Sequence, residues 1–261
     1  MMAKKHLGQN FLFDQAILKK IIGAAGITPD GTVVEIGPGH GRLTKMLSEA
    51  ANKVIAIELD EDLHERLTDE LSGFDNIELV HGDALKYPYH ELGQFKVVAN
   101  IPYYITTPII FKLFEHRKHL KSITITVQKE IAERIVAGPG SKKYGRLSIT
   151  VQYYGRPEIK FIIPKGAFRP VPKVDSAVIH IEIHEKPAVD VRDESFFFKL
   201  VRTAFSHRRK TILNALKELS PDVRESLLKA GIEPMRRPET LSIEEFARLA
   251  DVITALRQTA I

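Results

Sequence analysis

No cysteine occurs among the 261 residues, so disulfides, thiolate metal sites and cysteine nucleophiles are excluded, and a cytoplasmic protein is the expectation. Long apolar runs are missing as well. Without twenty consecutive apolar residues there is no candidate membrane helix, and the polar start from Met1 to Lys5 lacks the apolar segment of a secretion signal. Internal repeats and low-complexity tracts are absent, and histidine alone gives no grouping that reads as a metal site, so a metal-free soluble monomer is expected. What is present is a chain with 44% hydrophobic residues, enough to bury a full core, and of a length that suits one large domain plus a small one. Its net charge of +5 and pI near 9.2 point toward a polyanionic partner, although many basic proteins bind none.

The chain is organised around Val33-Val-Glu-Ile-Gly37-Pro-Gly39-His-Gly41. A β-branched run from Thr32 to Ile36 empties into three alternating glycines, which reads as a buried strand entering a tight loop. Leu43, Met46 and Leu47 then supply a helical stripe, so the loop lies at a helix N-terminus, where unpaired N–H groups favour polar or anionic ligand groups. Glycine serves such a loop by allowing close backbone approach and positive φ. By itself this motif fits a nicotinamide, a flavin or an ordinary turn. The second strand ends at Glu58-Leu-Asp60, some twenty residues on, where a carboxylate is placed to accept hydrogen bonds from ribose hydroxyls; a solvated strand-end acid is the alternative.

Further along, strands and helices alternate: a helix from Asp62 to Leu71, strands Ile77–Val80 and Phe95–Ala99, a helix from Pro108, and a strand Ile123–Val127. Upstream, Asp14 caps a helix whose buried face is Ile17, Leu18, Ile21 and Ile22. Alternation of this kind predicts a mostly parallel, doubly wound α/β sheet. Ligands gather at the carboxyl ends of such strands, so Gly37, Glu58, Asp83 and Asn100 are expected at one crevice. Asp83, in His81-Gly-Asp-Ala84, is placed to accept from an adenine amino group or, equally simply, to cap a turn. Asn100-Ile101-Pro102-Tyr103-Tyr104 combines an acceptor, a rigid turn and an aromatic face, features that suit an exocyclic amine nucleophile; a structural Asn-x-Pro turn with core tyrosines is the other reading.

Gly8-Gln-Asn10-Phe-Leu12, Glu35 to Gly41, Ile57 to Asp60, Gly82-Asp83-Ala84 and Asn100 to Tyr103, in this order, resemble the motifs of the ribosomal RNA adenine dimethyltransferases. Phe168-Arg-Pro-Val-Pro-Lys-Val-Asp-Ser-Ala-Val178 and Ser206-His-Arg-Arg-Lys-Thr211 are similar to the small-subunit branch of that family more than to the erythromycin-resistance methylases of large-subunit RNA. The resemblance runs from about Lys4 to about Glu239. It implies a Rossmann-like class I methyltransferase domain over residues 1–185 and a helical RNA-binding domain over 186–261, dimethylating N6 of two adjacent adenines in a hairpin near the 3′ end of small-subunit RNA. S-adenosylmethionine is the implied cofactor, in contact with Asn10, Leu12, Gly37, Gly39, Glu58, Asp83, Ala84 and Asn100. Asn100, Ile101, Pro102 and Tyr103 would meet the target base, with Phe168 stacking on its other face.

The last third reads as a platform for that RNA. Tyr144–Tyr154 and Ile159–Ile163 lead to the Phe168 loop and an alternating strand, Ser176–Ile183. Helical periodicity follows at Phe196 to Phe205, Val223 to Lys229 and Ile243 to Leu256. Lys142, Lys143, Arg146, Arg169, Lys173, Arg208, Arg209 and Lys210 are candidates for phosphate contacts, and each is equally readable as a solvated charge. Three other readings stay open: a large-subunit RNA adenine methylase, a ribosome-assembly factor acting chiefly by binding, and a nicotinamide oxidoreductase, which Asn100 to Tyr103 disfavours.

Overall fold

The computed structural model describes residues 10–206, 209–219 and 222–259; Gly8 and Gln9 of the N-terminal motif and Arg208 of the basic cluster lie outside them. The chain divides into two compact units, one ending at Ala132 and resumed over Arg156–Glu185, the other built from Glu133–Gly155 and the residues from Lys186 onward.

The first unit begins with a two-residue strand, β1 (Phe11–Leu12). Asp14 then starts α1 (Gln15–Ala25) by accepting from the N–H groups of Ala16 and Ile17 at 2.8 and 3.2 Å, and Gly26 ends it in the left-handed region at φ 55. Leu18, Ile21 and Ala25 are its buried residues, whereas Ile17 and Ile22 sit half-buried at the margins of that face. Strands and helices alternate from there: β2 (Thr32–Ile36), α2 (Arg42–Ser48), β3 (Lys53–Glu58), α3 (Glu61–Glu70), β4 (Ile77–His81), β5 (Phe95–Ala99), α4 (Thr106–Glu115) and β6 (Leu120–Gln128). The helix after β5 starts two residues before Pro108, a position where proline is tolerated because first-turn N–H groups need no helical partner.

After α5 (Lys129–Ile135) and α6 (Arg146–Tyr154) come β7 (Gly155–Ile163), β8 (Phe168–Arg169) and β9 (Ser176–Ile183). Seven strands form one sheet in the order β4-β3-β2-β5-β6-β9-β7. Pairs from β4 through β6 are parallel and β6–β9 is antiparallel. Val33, Val34, Val54, Ile55, Val97 and Val98 are fully buried, as expected for parallel strands covered on both faces. Because β2 pairs with β3 on one side and β5 on the other, it is the switch point of the winding, where open α/β sheets place their crevice. This is the α/β Rossmann-like architecture.

Among its described residues the second unit contains α6, α7 (Glu194–Ala204), α8 (Ile212–Leu216), α9 (Val223–Lys229) and α10 (Ile243–Thr259). Glu133–Gly155 packs with the residues from Lys186 onward in this unit. The reason is apolar burial: Tyr144, Ile149 and Tyr153 join Phe197, Leu200, Val201 and Phe246 in one core. Tyr153 stacks on Phe197 with centroids 5.2 Å apart, and the Tyr154 hydroxyl donates to Glu194 Oε1 at 2.7 Å. Packing between helices this distant in sequence leaves no local signature between Tyr144 and Tyr154.

Candidate active site

All three loop glycines take positive φ, 69° at Gly37, 59° at Gly39 and 67° at Gly41, so the turn from β2 into α2 needs residues without a side-chain penalty there. The reasons for their smallness differ. A Cβ on Gly39 would come within 2.9 Å of the Phe11 ring and one on Gly41 within 2.7 Å of Leu67, whereas at Gly37 it would meet nothing within 4 Å. Close approach at the second and third glycines is therefore to the protein's own side chains, and only Gly37 faces open space.

That space is a cleft of about 980 Å³, including its open mouth, at the carboxyl ends of β2, β3, β4 and β5. Gly37, Glu58, Asp83 and Asn100 all line it, together with Asn10, Leu12, Gly39, Ala84 and Pro102. Glu58 is only 5% exposed. Its Oε2 accepts from Gly39 N–H at 3.1 Å and its Oε1 from Asp60 N–H at 2.9 Å. Burial raises its pKa, and those backbone donors oppose the rise. Since each carboxylate oxygen holds two lone pairs, the group still has room for a ligand hydroxyl. Asp83 does make the simple turn, accepting from Leu85 N–H at 2.9 Å, while also lining the cleft.

Asn100 donates from Nδ2 to the Asn10 carbonyl at 3.1 Å, which turns its Oδ1, the acceptor, to other use. Ile101 is 2% exposed and does not line the cleft; its buried side chain pins the backbone between Asn100 and Pro102. Tyr103 does not line it either. The Tyr103 hydroxyl lies 2.7 Å from Ser176 Oγ, and burial raises its pKa. Tyr104, more than half exposed, is the tyrosine at the cleft wall. Phe168 departs furthest from expectation: it is fully buried with Leu12, Ile163 and Val178. The cause is a two-stranded pairing of β1 with β8, which sets Phe168 opposite Leu12, so in this conformation its ring belongs to the core and is closed to a stacking base.

Several lining residues carry no role in the sequence reading. Glu35, 1% exposed, has its pKa pushed up to about 8 by burial, with the nearby Glu58 charge adding to the rise. Its Oε2 has no hydrogen-bond partner among the described residues. His40 stacks on Phe11 at 4.3 Å, and the Arg42 guanidinium lies 5.0 Å from the Phe13 ring centroid. Burial lowers the His40 pKa, with neighbouring cationic charge adding to the effect. Glu35, His40 and Tyr104 stand in or beside the motif segments, but which way a turn aims its side chains cannot be read from spacing.

Among the phosphate-contact candidates, Lys142, Arg146, Lys173, Arg209 and Lys210 are exposed. Lys143 is ion-paired with Glu133. Arg169 donates from Nη1 to the carbonyls of Gly166 and Phe168, both at 2.8 Å. No group of metal-binding side chains occurs among the described residues, and no helix there is long and apolar enough to cross a membrane.

Comparison with known proteins places these motifs in context. A curated relative from Shouchella clausii, named ribosomal RNA small subunit methyltransferase A, is 48% identical over 96% of this chain and 89% of its own length. The crystal structure of a dimethyladenosine transferase from Plasmodium falciparum superposes with a TM-score of 0.80 at 29% identity, covering 96% of this chain and 98% of that one. The 23S rRNA methyltransferase ErmE gives 0.75 at 28%, covering 94% and 100%. The family model described as ribosomal RNA adenine dimethylase matches residues 1–255, and with near-complete coverage by relatives of such identity this chain belongs to that family.

Proposed function

We propose that the chain uses S-adenosylmethionine to dimethylate N6 of two adjacent adenines in a hairpin near the 3′ end of small-subunit ribosomal RNA, as a step in maturation of that subunit in the cytoplasm. The observation that carries the reading is the convergence of Gly37, Glu58, Asp83 and Asn100 on one cleft, in a chain of the rRNA adenine dimethylase family. The residues fit the cofactor. Glu58 offers carboxylate acceptors to ribose hydroxyls, Asp83 an acceptor to the adenine amino group, Gly37 an open backbone, and the orphaned Glu35 Oε2 a partner for an ammonium group.

When bound, S-adenosylmethionine supplies a methyl group on a sulfonium that is already a good leaving group. The protein's task is then alignment, because adenine N6 is a poor nucleophile whose lone pair is delocalised into the ring. Asn100 Oδ1 and the Ile101 carbonyl are the acceptors that hold its N–H bonds and favour a pyramidal amine, with no strong base required. One N–H remains after the first transfer, so the same acceptors serve the second. The helical unit, with Arg146, Arg209 and Lys210 exposed, supplies phosphate contacts. Small-subunit RNA is favoured over large-subunit RNA as substrate by the 48% identity to the small-subunit relative against 28% to ErmE.

The test is transfer of label from S-adenosylmethionine to unmodified small subunits, large subunits and DNA offered separately, followed by mapping of the modified base. Dimethyladenosine in small-subunit RNA is the expected product. Label confined to large subunits overturns the substrate, and binding of subunits without transfer overturns the enzyme.

A further inference from the structure

The turn that carries Asn100 is held at both ends by parts of the chain remote in sequence. At one end Asn100 Nδ2 donates to the Asn10 carbonyl at 3.1 Å. At the other, the Tyr103 hydroxyl and Ser176 Oγ share a hydrogen bond of 2.7 Å. Ser176 is fully buried and stands opposite Gln128 in the antiparallel pair β6–β9, so it enters the sheet at the carboxyl end of β6, the edge where the cleft lies. Its neighbour Asp175 accepts from Lys129 N–H at 3.0 Å through its carbonyl and from Lys165 N–H at 2.9 Å through its side chain. Lys165 opens the short helical turn that leads into Phe168 and β8, and β8 pairs with β1, next to Asn10. The two anchors are thus joined by a continuous path through Asp175, the 165–169 segment and β1.

We infer that Ser176 is a positioning residue for methyl transfer: its buried hydroxyl fixes the Tyr103 ring and so holds the Asn100–Tyr103 turn, with its amine acceptors, in one arrangement. The Asn10 bond and the buried Ile101 side chain hold the first half of the turn, the Ser176 bond holds its far end, and geometry at the reacting centre tolerates little looseness. Tyr103 stays protonated at neutral pH, since burial raises its pKa, and therefore keeps a hydrogen to share with Ser176. The assignment rests on the proposed reading of the turn as the base-facing element.

Four proteins test it: the parent, Ser176→Ala, Tyr103→Phe and the double variant, each compared in single-turnover methylation of unmodified small subunits. Either single substitution removes the same hydrogen bond, so each should lower the maximal rate by about tenfold, the scale of one hydrogen bond. The double variant should be no slower than the singles, because there is only one interaction to remove. Half-saturating concentrations of S-adenosylmethionine and of subunits should stay within about twofold of the parent's, which separates positioning from weakened binding or general loosening of the fold. Parental rates in both single variants, losses that multiply in the double, or a loss carried by cofactor affinity would overturn the assignment. Should Ser176→Ala fail to fold, Tyr103→Phe alone decides, since it leaves Ser176 and the ring in place. A parent that methylates no adenine overturns the functional reading first, an outcome distinct from any ranking of the variants.

Discussion

Glu58 accepts from Gly39 and Asp60, so its carboxylate both shapes the glycine loop and faces the cleft. Removing it should weaken S-adenosylmethionine binding by roughly 1.5–3 kcal/mol, the range for a hydrogen bond to a charged group. Calorimetry on Glu58→Ala and Glu58→Gln measures this; unchanged affinity in both assigns the residue to loop structure alone. Asn100 acts on a different quantity. Asn100→Ala should lower the single-turnover rate at saturating cofactor by about 100-fold or more, beyond any loss of cofactor affinity, if its Oδ1 orients the amine in the transition state. A near-parental rate would make the turn structural.

Glu35 adds a pH effect. Its pKa is raised from 4.5 to about 8, so between those values the folded protein holds a proton that the unfolded chain has released. Stability therefore falls as pH rises through that window, by up to about 1.4 kcal/mol per pH unit from this group, and levels off above the folded pKa. Glu35→Gln removes the titration: with cofactor absent, its thermal midpoint should exceed the parent's at pH values above about 8, and the gap should close as pH falls toward the ordinary carboxylate range. A constant gap across that range would show that the carboxyl is not protonated in the folded state.

At the scale of elements, the cleft depends on how strands end and helices begin. Gly41 is the residue before α2, at φ 67, and a Cβ there would approach Leu67 of α3 to 2.7 Å. Gly41→Ala combines a left-handed backbone penalty with a clash against a core side chain, so it should cost about 2–5 kcal/mol in denaturant unfolding. Asp14→Ala, which removes only the cap of α1, should cost about 1 kcal/mol. Equal effects of the two would mean that the glycine loop has room that its geometry denies.

At the scale of the whole molecule, a sheet that holds the cleft accompanies a helical unit bearing exposed cations. Replacing Arg209 and Lys210 by Ala should weaken RNA binding and flatten its dependence on salt, the slope dropping by roughly one for each phosphate no longer neutralised, with cofactor affinity unchanged. An unaltered salt slope reduces the pair to a solvated helix end. Lys143 and Arg169 are poorer candidates for the same experiment, because Glu133 and nearby carbonyls already engage them.

The strands, the glycine loop and the strand-end positions Glu58, Asp83 and Asn100 were legible in the sequence because each is set locally: period-two or β-branched runs make buried strands, and glycine takes positive φ without a side-chain penalty. Alternation of strands and helices was enough for the sheet class, and so for the edge where Gly37, Glu58, Asp83 and Asn100 meet. What spacing could not carry is the direction of side chains whose partners are far away in the chain. Pairing of β1 with β8 buried Phe168, a bond to Ser176 drew Tyr103 aside and left Tyr104 at the cleft, and a shared apolar core took Glu133–Gly155 into the helical unit. Each outcome turns on residues dozens of positions apart, where the free energy lies in tertiary burial and hydrogen bonding and not in any local preference.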